Sequence, residues 1–295
     1  MKLLKTLPLL MLLLLAGCVD ENTDHCPPAI TGSLTFSYLD FPEHIHRVNV
    51  GIFDKDGKFV ESKLVDSKDL EKFQGVYLDL PAGEYTAICW GNSFDNTHIT
   101  SFANNGRLDN GEVYHPNYGT TKHIPTNDPL FFGIKKFTIK NNQPINETVD
   151  FTPSHHRIEV YVKGLPVLSY AELDVDKYPV IRINNLSPVI DFRNHTNGER
   201  DNYYPVVTID KAIASAPANV LLFGTDNKIT VDVIDNAAAN NILETVDLNE
   251  FIEENNIQFP EGKVVTIPIL IEFKDGGKIE ITVPDWGGIG IIPEV

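Results

Sequence analysis

Short apolar runs follow one another along most of the chain, separated by glycine, proline and asparagine turns at intervals of roughly eight to twelve residues. Between residues 47 and 52, every second residue is a branched aliphatic one (Val48, Val50 and Ile52), and the turn Asp54–Gly57 separates this run from the next, Phe59–Val65. Alternation with a period of two is typical of half-buried strands. The pattern therefore predicts an all-β fold of the sandwich type, with very little helix.

A second set of strands begins after residues 153–156 (Pro-Ser-His-His), where Arg157–Val162 alternates between apolar and polar positions. We therefore predict two β-sandwich domains in tandem, at residues 29–152 and 153–295. The best hairpin of the second set joins residues 264–273 and 278–283 through the turn Lys274–Gly277. A last short strand is expected at residues 289–293.

Three segments depart from the strand pattern. Asparagine, glycine, aspartate and threonine predominate in residues 91–129, where we expect a long loop excursion, and such loops are usually functional or mobile. One helix is predicted at Asp247–Asn255, with Asp247 as its cap and Glu250 three residues further on. Ser67 is expected to cap a single helical turn.

The first seventeen residues have the composition of an export signal. Lys2 and Lys5 precede an apolar core at residues 7–15 that is too short to span a bilayer, which needs about 20 apolar residues. The segment Leu15-Ala16-Gly17-Cys18 resembles a bacterial lipobox, in which the cysteine thiol receives a diacylglycerol and the chain is cut before it. We expect a lipoprotein signal peptide at residues 1–17, acyl chains such as palmitate on Cys18, and a lipidated tether at residues 18–28. The alternative is an ordinary signal peptide with an incidental cysteine.

The chain is strongly acidic, with 41 Asp and Glu against 24 Lys and Arg and a formal net charge of −17. Removing residues 1–17 would remove two lysines and no acid, which leaves −19. This charge excludes nucleic acid as a partner, because phosphates require a basic surface. It also disfavours adhesion to anionic lipid, so attachment would depend on the acyl chains. The acidic residues behind Cys18, in Val19–Asn22, resemble an address for the outer face of the outer membrane; a tether on the periplasmic face is the alternative.

Two cysteines remain once Cys18 is acylated. Cys26 and Cys89 form an even number in an oxidising compartment, so one disulfide is possible. Two unpaired thiols, one of them buried, are the alternative. Neither cysteine has the paired histidine spacing of a zinc site.

Motifs for catalysis or metal binding are missing from the sequence. Aligning Gly57 with the invariant glycine of a calcium-binding EF-hand loop puts Lys63 at the position of the bidentate glutamate, so Asp54–Gly57 is interpreted as a hairpin turn. The patterns G-x-S-x-G, GxxxxGK[ST], S-x-x-K and HExxH do not occur. We therefore predict no enzyme activity, no cofactor and no metal. Solvated or structural roles are expected for four histidines: His44, His46, His155 and His156.

The aromatic residues leave a second class of function open. If they were exposed, Trp90 and Trp286 would form a platform on which sugars stack, but each closes a strand-like segment and is more typical of a core cap. The ten tyrosines keep a surface glycan-binding lipoprotein as an alternative interpretation.

Six further motifs follow the lipobox along the chain. They are Asp24-His25-Cys26-Pro27, VGIFDKDG at residues 50–57, LDLPAGEYT at 78–86, CWGN at 89–92, RIEV at 157–160 and ITVPDW at 281–286. In this order and spacing they resemble the fimbrillin-associated anchor subunits, the FimB-type lipoproteins of fimbriae in anaerobic Gram-negative bacteria. The resemblance covers nearly the whole mature chain.

The resemblance implies two transthyretin-like β-sandwich domains behind a lipid anchor. It also implies a structural subunit that holds the fimbrial polymer in the outer membrane at the cell surface, ends it at its base and limits its length. The implied partners are the outer membrane and the fimbrial stalk or other fimbrillin subunits.

Fimbriae of this kind assemble by strand exchange: a polymerising subunit is cut after a basic residue, loses its first strand and accepts the C-terminal strand of a neighbour. Arg47 lies between the first two predicted strands, where such a cut would fall. A tip-type subunit of the same family is therefore the alternative, whereas an anchor needs no such cut and Arg47 would then be a solvated strand residue.

Overall fold

The structure is a computed structural model that describes residues 31–141, 143–169, 177–224 and 227–285. Several predicted features lie outside the described residues: the signal peptide, Cys18, Cys26, Trp286 and the strand predicted at residues 289–293. The described chain is mostly β-structure, as the sequence predicts. In chain order its strands are β1 (Gly32–Ser37), β2 (Val48–Asp54), β3 (Phe59–Val65), β4 (Gly75–Leu78), β5 (Gly83–Gly91), β6 (His98–Ile99), β7 (Glu112–Tyr114), β8 (Phe131–Ile139), β9 (Ile145–Pro153), β10 (His155–Lys163), β11 (Val180–Leu186), β12 (Val189–Asp191), β13 (Thr196–Asn197), β14 (Asp201–Tyr203), β15 (Thr208–Asp210), β16 (Ile213–Leu221), β17 (Thr230–Ile234), β18 (Ile242–Asp247), β19 (Thr266–Phe273) and β20 (Ile279–Thr282). The helices are α1 (Phe41–His44), α2 (Ser67–Lys72) and α3 (Leu248–Glu254).

The first half of the described chain forms a sandwich from a single folded sheet with the strand order β3-β2-β5-β8-β9-β1-β4. Strands β8 and β9 pair only through Phe131–Gly133 and Phe151–Pro153. The sheet bends at this short contact into two layers, β3-β2-β5-β8 and β9-β1-β4. Inward side chains of both layers, among them Leu34, Val50 and Cys89, share one buried apolar cluster. The layers are therefore joined on one side and open on the other, between β3 and β4.

The segment Pro81–Glu84, within the LDLPAGEYT motif, does not close a hairpin between the strands on its two sides. Strand β4 pairs with β1, whereas β5 pairs with β2 and β8. These residues therefore cross from one layer of the sandwich to the other. The strands on both sides of the turn find their partners far away in the sequence, and turn residues alone do not reveal this.

The second half is another sandwich, made of the sheets β15-β16-β10-β19-β20 and β14-β11-β17-β18. Alternate residues of β10, β16 and β19 face those of β11 and β17 in one buried cluster, which α3 covers with Leu248 and Phe251. The Asp247 cap is confirmed, because its carboxylate accepts hydrogen bonds from the amides of Asn249 and Glu250. The cap of α2 is Asp66 and not Ser67, because the Asp66 carboxylate accepts the Asp69 N–H.

The excursion at residues 91–129 is more ordered than expected. Its strands β6 and β7 join β12 and β13, from the second half of the chain, in a four-stranded sheet. A third apolar cluster lies under this sheet and contains Trp90, Val113 and Phe192. It therefore contains residues from both sides of the predicted boundary at residues 152/153. The boundary itself stays a prediction.

Phe192 gives a test of this third cluster. Its side chain is 2% exposed, and its ring centroid lies 5.4 Å from that of Phe102 and 6.0 Å from that of Phe53. We expect Phe192→Ala to lower the free energy of unfolding by about 3–5 kcal/mol, because it leaves a cavity between the two halves. Urea unfolding followed by circular dichroism measures the loss. The matched variant is Phe259→Ala, at a ring that is 39% exposed, and an equal loss in both variants would contradict this role.

Candidate functional site

Strand β1 fills a central position in its own sandwich. It pairs in parallel with β9 over six residues and antiparallel with β4 over four. Leu34 is 0% exposed and Phe36 is 3% exposed, with the Phe36 ring centroid 5.6 Å from that of Phe151. Removing β1 would take Leu34 and Phe36 out of the core, uncover their neighbour Phe151, and leave backbone groups of β4 and β9 unpaired. In this structure the groove that such a removal would create is occupied by the chain's own first strand.

The segment between α1 and β2, which contains Arg47, is held by one buried residue. Asn92 is 1% exposed; its N–H donates to Arg47 O (2.8 Å), and its side-chain amide donates to His44 O (2.6 Å) and Pro129 O (3.2 Å). Its side-chain oxygen accepts the His46 N–H (2.8 Å). The Arg47 guanidinium carbon lies 5.6 Å from the centroid of the Phe94 ring. A protease requires an extended, accessible segment, whereas this one is held by hydrogen bonds at residues 44, 46 and 47.

Asn92 lies in the CWGN motif, but the motif alone does not reveal its role. Its φ of 56° is in the left-handed region, which asparagine tolerates better than most residues. That conformation turns its side chain back along the segment before β2. An asparagine directly after a buried strand was the available signal.

Two adjacent histidines lie where the two halves meet. They begin β10 and point to opposite sides, as expected for a strand. His155 Nδ1 lies 2.9 Å from Leu130 O, and the His156 ring packs against Phe223 and Phe259 at centroid distances of 5.5 and 5.0 Å. Burial lowers the pKa of each imidazole to about 4. Both are therefore neutral structural residues at neutral pH.

Of the predicted site cysteines, only Cys89 lies among the described residues. It is a free thiol, 0% exposed, opposite Val50 of β2 in the sandwich core, and burial raises its pKa. A thiol that stays protonated in an apolar core is chemically inert. The Cys26–Cys89 disulfide stays a prediction, and it would require the tether to reach into this core.

The described residues show no group of three or more His, Cys, Asp or Glu side chains arranged to hold a metal ion. Trp90 is 0% exposed and packs on Phe132, as expected of a core cap. His44 and His46 are exposed on the segment before β2. No helix in the described part of the chain is long and apolar enough to cross a membrane.

The open side of the first sandwich carries a feature that the sequence analysis missed. Lys63 of β3 belongs to the row of side chains that includes the buried Val50, and its Nζ donates to Tyr77 O of β4 (2.8 Å). Lys63 Nζ also lies 3.4 Å from Glu61 Oε1. An ion pair thus stands where the core would otherwise open to solvent. The alternation of β3 indicated it, because Glu61, Lys63 and Val65 share one face.

Together, the two sandwiches and the sheet that joins them define an all-β protein. The sequence model of the fimbrillin-A associated anchor proteins Mfa1 and Mfa2 matches residues 23–289, and the chain belongs to this family. Membership of this family makes it a fimbrillin-associated protein of the anchor type. No curated protein sequence matches the chain significantly.

Several solved structures of bacterial proteins share the fold. The fimbrial anchor protein Mfa2 from Porphyromonas gingivalis has a TM-score of 0.62 at 17% sequence identity, and the match covers 85% of this chain and 96% of that one. A proposed polysaccharide-binding protein from Bacteroides thetaiotaomicron has a TM-score of 0.66 at 16% identity, covering 86% and 95%. A proposed adhesin from Bacteroides ovatus has a TM-score of 0.66 at 18% identity, covering 86% and 93%.

The two histidines predict a loss of stability in mild acid. In the unfolded chain their pKa is about 6.5, so between pH 6.5 and 4 the unfolded state binds more protons than the folded one. Stability is therefore full above about pH 6.5 and falls as the pH drops toward 4, by up to about 1.4 kcal/mol per pH unit for each histidine.

Urea unfolding at several pH values tests this, with His156→Phe as the variant and exposed His98→Gln as its control. The His156→Phe chain should lose less stability between pH 6.5 and 5 than the unmodified chain. Its Nδ1 has no hydrogen-bond partner, so the substitution breaks no hydrogen bond of that atom. A slope that is unchanged in His156→Phe would contradict the assignment.

Proposed function

We propose that this chain is the lipid-anchored base subunit of a fimbria. Cys18 carries the acyl chains, the tether leads to β1, and the two sandwiches hold the fimbrial stalk at the outer membrane, on the cell surface. Several acyl chains, at roughly 0.8 kcal/mol per buried methylene, suffice for stable attachment. The role is structural, without catalysis or cofactor.

The observation that carries this proposal is that the segment around Arg47, where a cut would release β1, is fastened to the fold. A polymerising subunit must give up its first strand to become an acceptor, whereas a base subunit must keep it, because this strand connects the fold to the tether. Asn92 makes the hydrogen bonds that fasten the Arg47 segment. A base subunit that offers no vacated groove also ends the polymer, which is the basis for a limit on its length.

Two alternatives are weaker. A tip-type subunit is favoured only by the position of Arg47. Glycan binding is suggested by the description of the Bacteroides thetaiotaomicron relative, but the buried Trp90 cannot contribute to a sugar platform.

Deletion of the gene tests the anchor role. We expect cells without the protein to shed fimbriae or to carry abnormally long ones in electron micrographs.

Cys18→Ala should give a folded protein that is released from the membrane and takes up no fatty-acid label, while Cys26→Ala, a tether variant with the lipobox intact, stays labelled and bound. Normal, attached fimbriae in the deletion strain would overturn the anchor role; a labelled Cys18→Ala protein would overturn the lipidation site.

The N-terminus of the mature protein separates base from tip. We expect mass spectrometry to find acylated Cys18 as the first residue, and a chain that begins at Val48 would indicate a tip-type subunit.

In vitro, an arginine-specific protease should spare the bond after Arg47. Asn92→Ala removes buried hydrogen bonds worth about 1–3 kcal/mol of local stability, so cleavage there should accelerate roughly 5- to 150-fold.

The control for this variant is Asn49→Ala on β2, whose side chain makes, within the described part of the chain, one hydrogen bond, 3.4 Å long, to Ser93 O. We expect little change in its cleavage rate. Equal acceleration in both variants would show that Asn92 does not hold the segment specifically.

A further inference from the structure

Strand β3 has one free edge. It pairs with β2 and stands at the end of its sheet, with no second neighbour among the described strands. The excursion covers the beginning of this edge, because Phe59 N–H donates to Gly106 O (3.0 Å). From residue 60 onward the edge is open, and two large apolar side chains stand on it, Val60 (42% exposed) and Leu64 (51% exposed).

The backbone groups on this edge have a definite direction. Asp54 N–H donates to Lys58 O (2.9 Å), which fixes the residues of β2 that face β3. Hydrogen-bonded and non-hydrogen-bonded pairs alternate along antiparallel strands. Glu61 and Lys63, opposite Ile52 and Val50, therefore turn their amides and carbonyls toward β2. Those of Ser62 and Leu64 point outward and can pair with another strand.

The open edge has a self-complementary sequence. Residues 60–64, Val-Glu-Ser-Lys-Leu, read apolar, acidic, polar, basic, apolar. When two copies run antiparallel with Ser62 opposite Ser62, each Glu61 faces a Lys63 and each Val60 faces a Leu64. Opposite charges and apolar pairs at such positions stabilise a sheet, and like charges destabilise it.

No other register fits as well. A shift by one residue would turn the outward groups of one strand toward the inward groups of the other. The next shift in either direction puts Lys63 opposite Lys63 or Glu61 opposite Glu61. Moreover, Glu61 Oε1 is buried without a hydrogen-bond donor in the single chain, although it contacts Lys63 Nζ at 3.4 Å.

We propose that the free edge of β3 is a self-association surface, through which two copies of this chain pair antiparallel around Ser62. The occupant is a second copy because the charges and apolar side chains of the edge complement themselves. The groove beside it, about 440 Å³ and lined by Leu64, Phe73 and the 53% exposed Tyr77, adds apolar surface close to the two-fold axis. The pairing joins the β3 layers of the two sandwiches into one continuous sheet.

A cysteine at the two-fold axis tests the register. Hydrogen-bonded residues of an antiparallel pair have Cα atoms about 5.5 Å apart, within the range that a disulfide bridges. We introduce Ser62→Cys into the full-length chain with Cys26→Ser, which removes the other cysteine that could form a disulfide, and express it in the bacterium from which the protein comes. We expect a disulfide-linked dimer on a non-reducing gel. Thr208→Cys, an exposed residue on the edge strand β15, is the control and should stay monomeric.

Charge exchange tests the pairing itself. Glu61→Lys or Lys63→Glu added to Ser62→Cys should abolish the dimer band, and the combined exchange should restore it. If a single variant fails to fold, the unmodified chain still decides, because light scattering should give twice the monomer mass. Three outcomes would overturn the proposal. The first is a monomeric unmodified chain together with no disulfide-linked dimer in the Ser62→Cys variant. The others are a dimer band from Thr208→Cys as strong as that from Ser62→Cys, or full dimer yield in both folded single charge variants.

Discussion

The parallel pairing of β1 with β9 is the contact on which the first sandwich depends. The two strands are more than a hundred residues apart in the sequence. Between them lie β2 and β5, the central strands of the opposite layer, and the whole excursion. β1 gives β4 its only described partner and buries Leu34 and Phe36 in the core. Without it, β9 would be the only remaining strand of that layer with a partner. With β1 in place, the layer β9-β1-β4 is continuous and the core of the first sandwich is closed on that side.

The second constraint is the way the two halves share apolar surface. The excursion contributes β6 and β7 to a sheet whose other strands come from the second half, and Phe192 packs beneath it. Asn127 adds a polar contact, because its side-chain amide donates to the Tyr203 hydroxyl (2.8 Å). The halves are thus joined by a packed core and buried hydrogen bonds in addition to the short connection at residue 154. Such a junction transmits force between the sandwiches with little relative motion.

Features that depend on neighbouring residues could be predicted from the sequence. The turns at Asp54–Gly57 and Lys274–Gly277 and the cap of α3 each follow from a few consecutive residues. Features that depend on distant partners could not. The excursion resembled a loop because its strands β6 and β7 are only two and three residues long, and β12, the partner of β7 outside the excursion, comes about 75 residues later. The role of Asn92 depends on its backbone conformation, which composition does not reveal. The family resemblance supplied the functional class, which no single motif would have supported.

The position of β1 also determines how the fold responds to a pull on its N-terminus. A force applied at Gly32 along the axis of β1 acts across its hydrogen bonds to β4 and β9, which run roughly perpendicular to the strand. These bonds are therefore loaded together in shear and cannot open one after another like a zipper. The two buried aromatic and aliphatic anchors, Phe36 and Leu34, must slide out of the core in the same step. Because β1 is hydrogen-bonded on both sides, many individually weak backbone hydrogen bonds must break together before the N-terminal end of the fold can be pulled out.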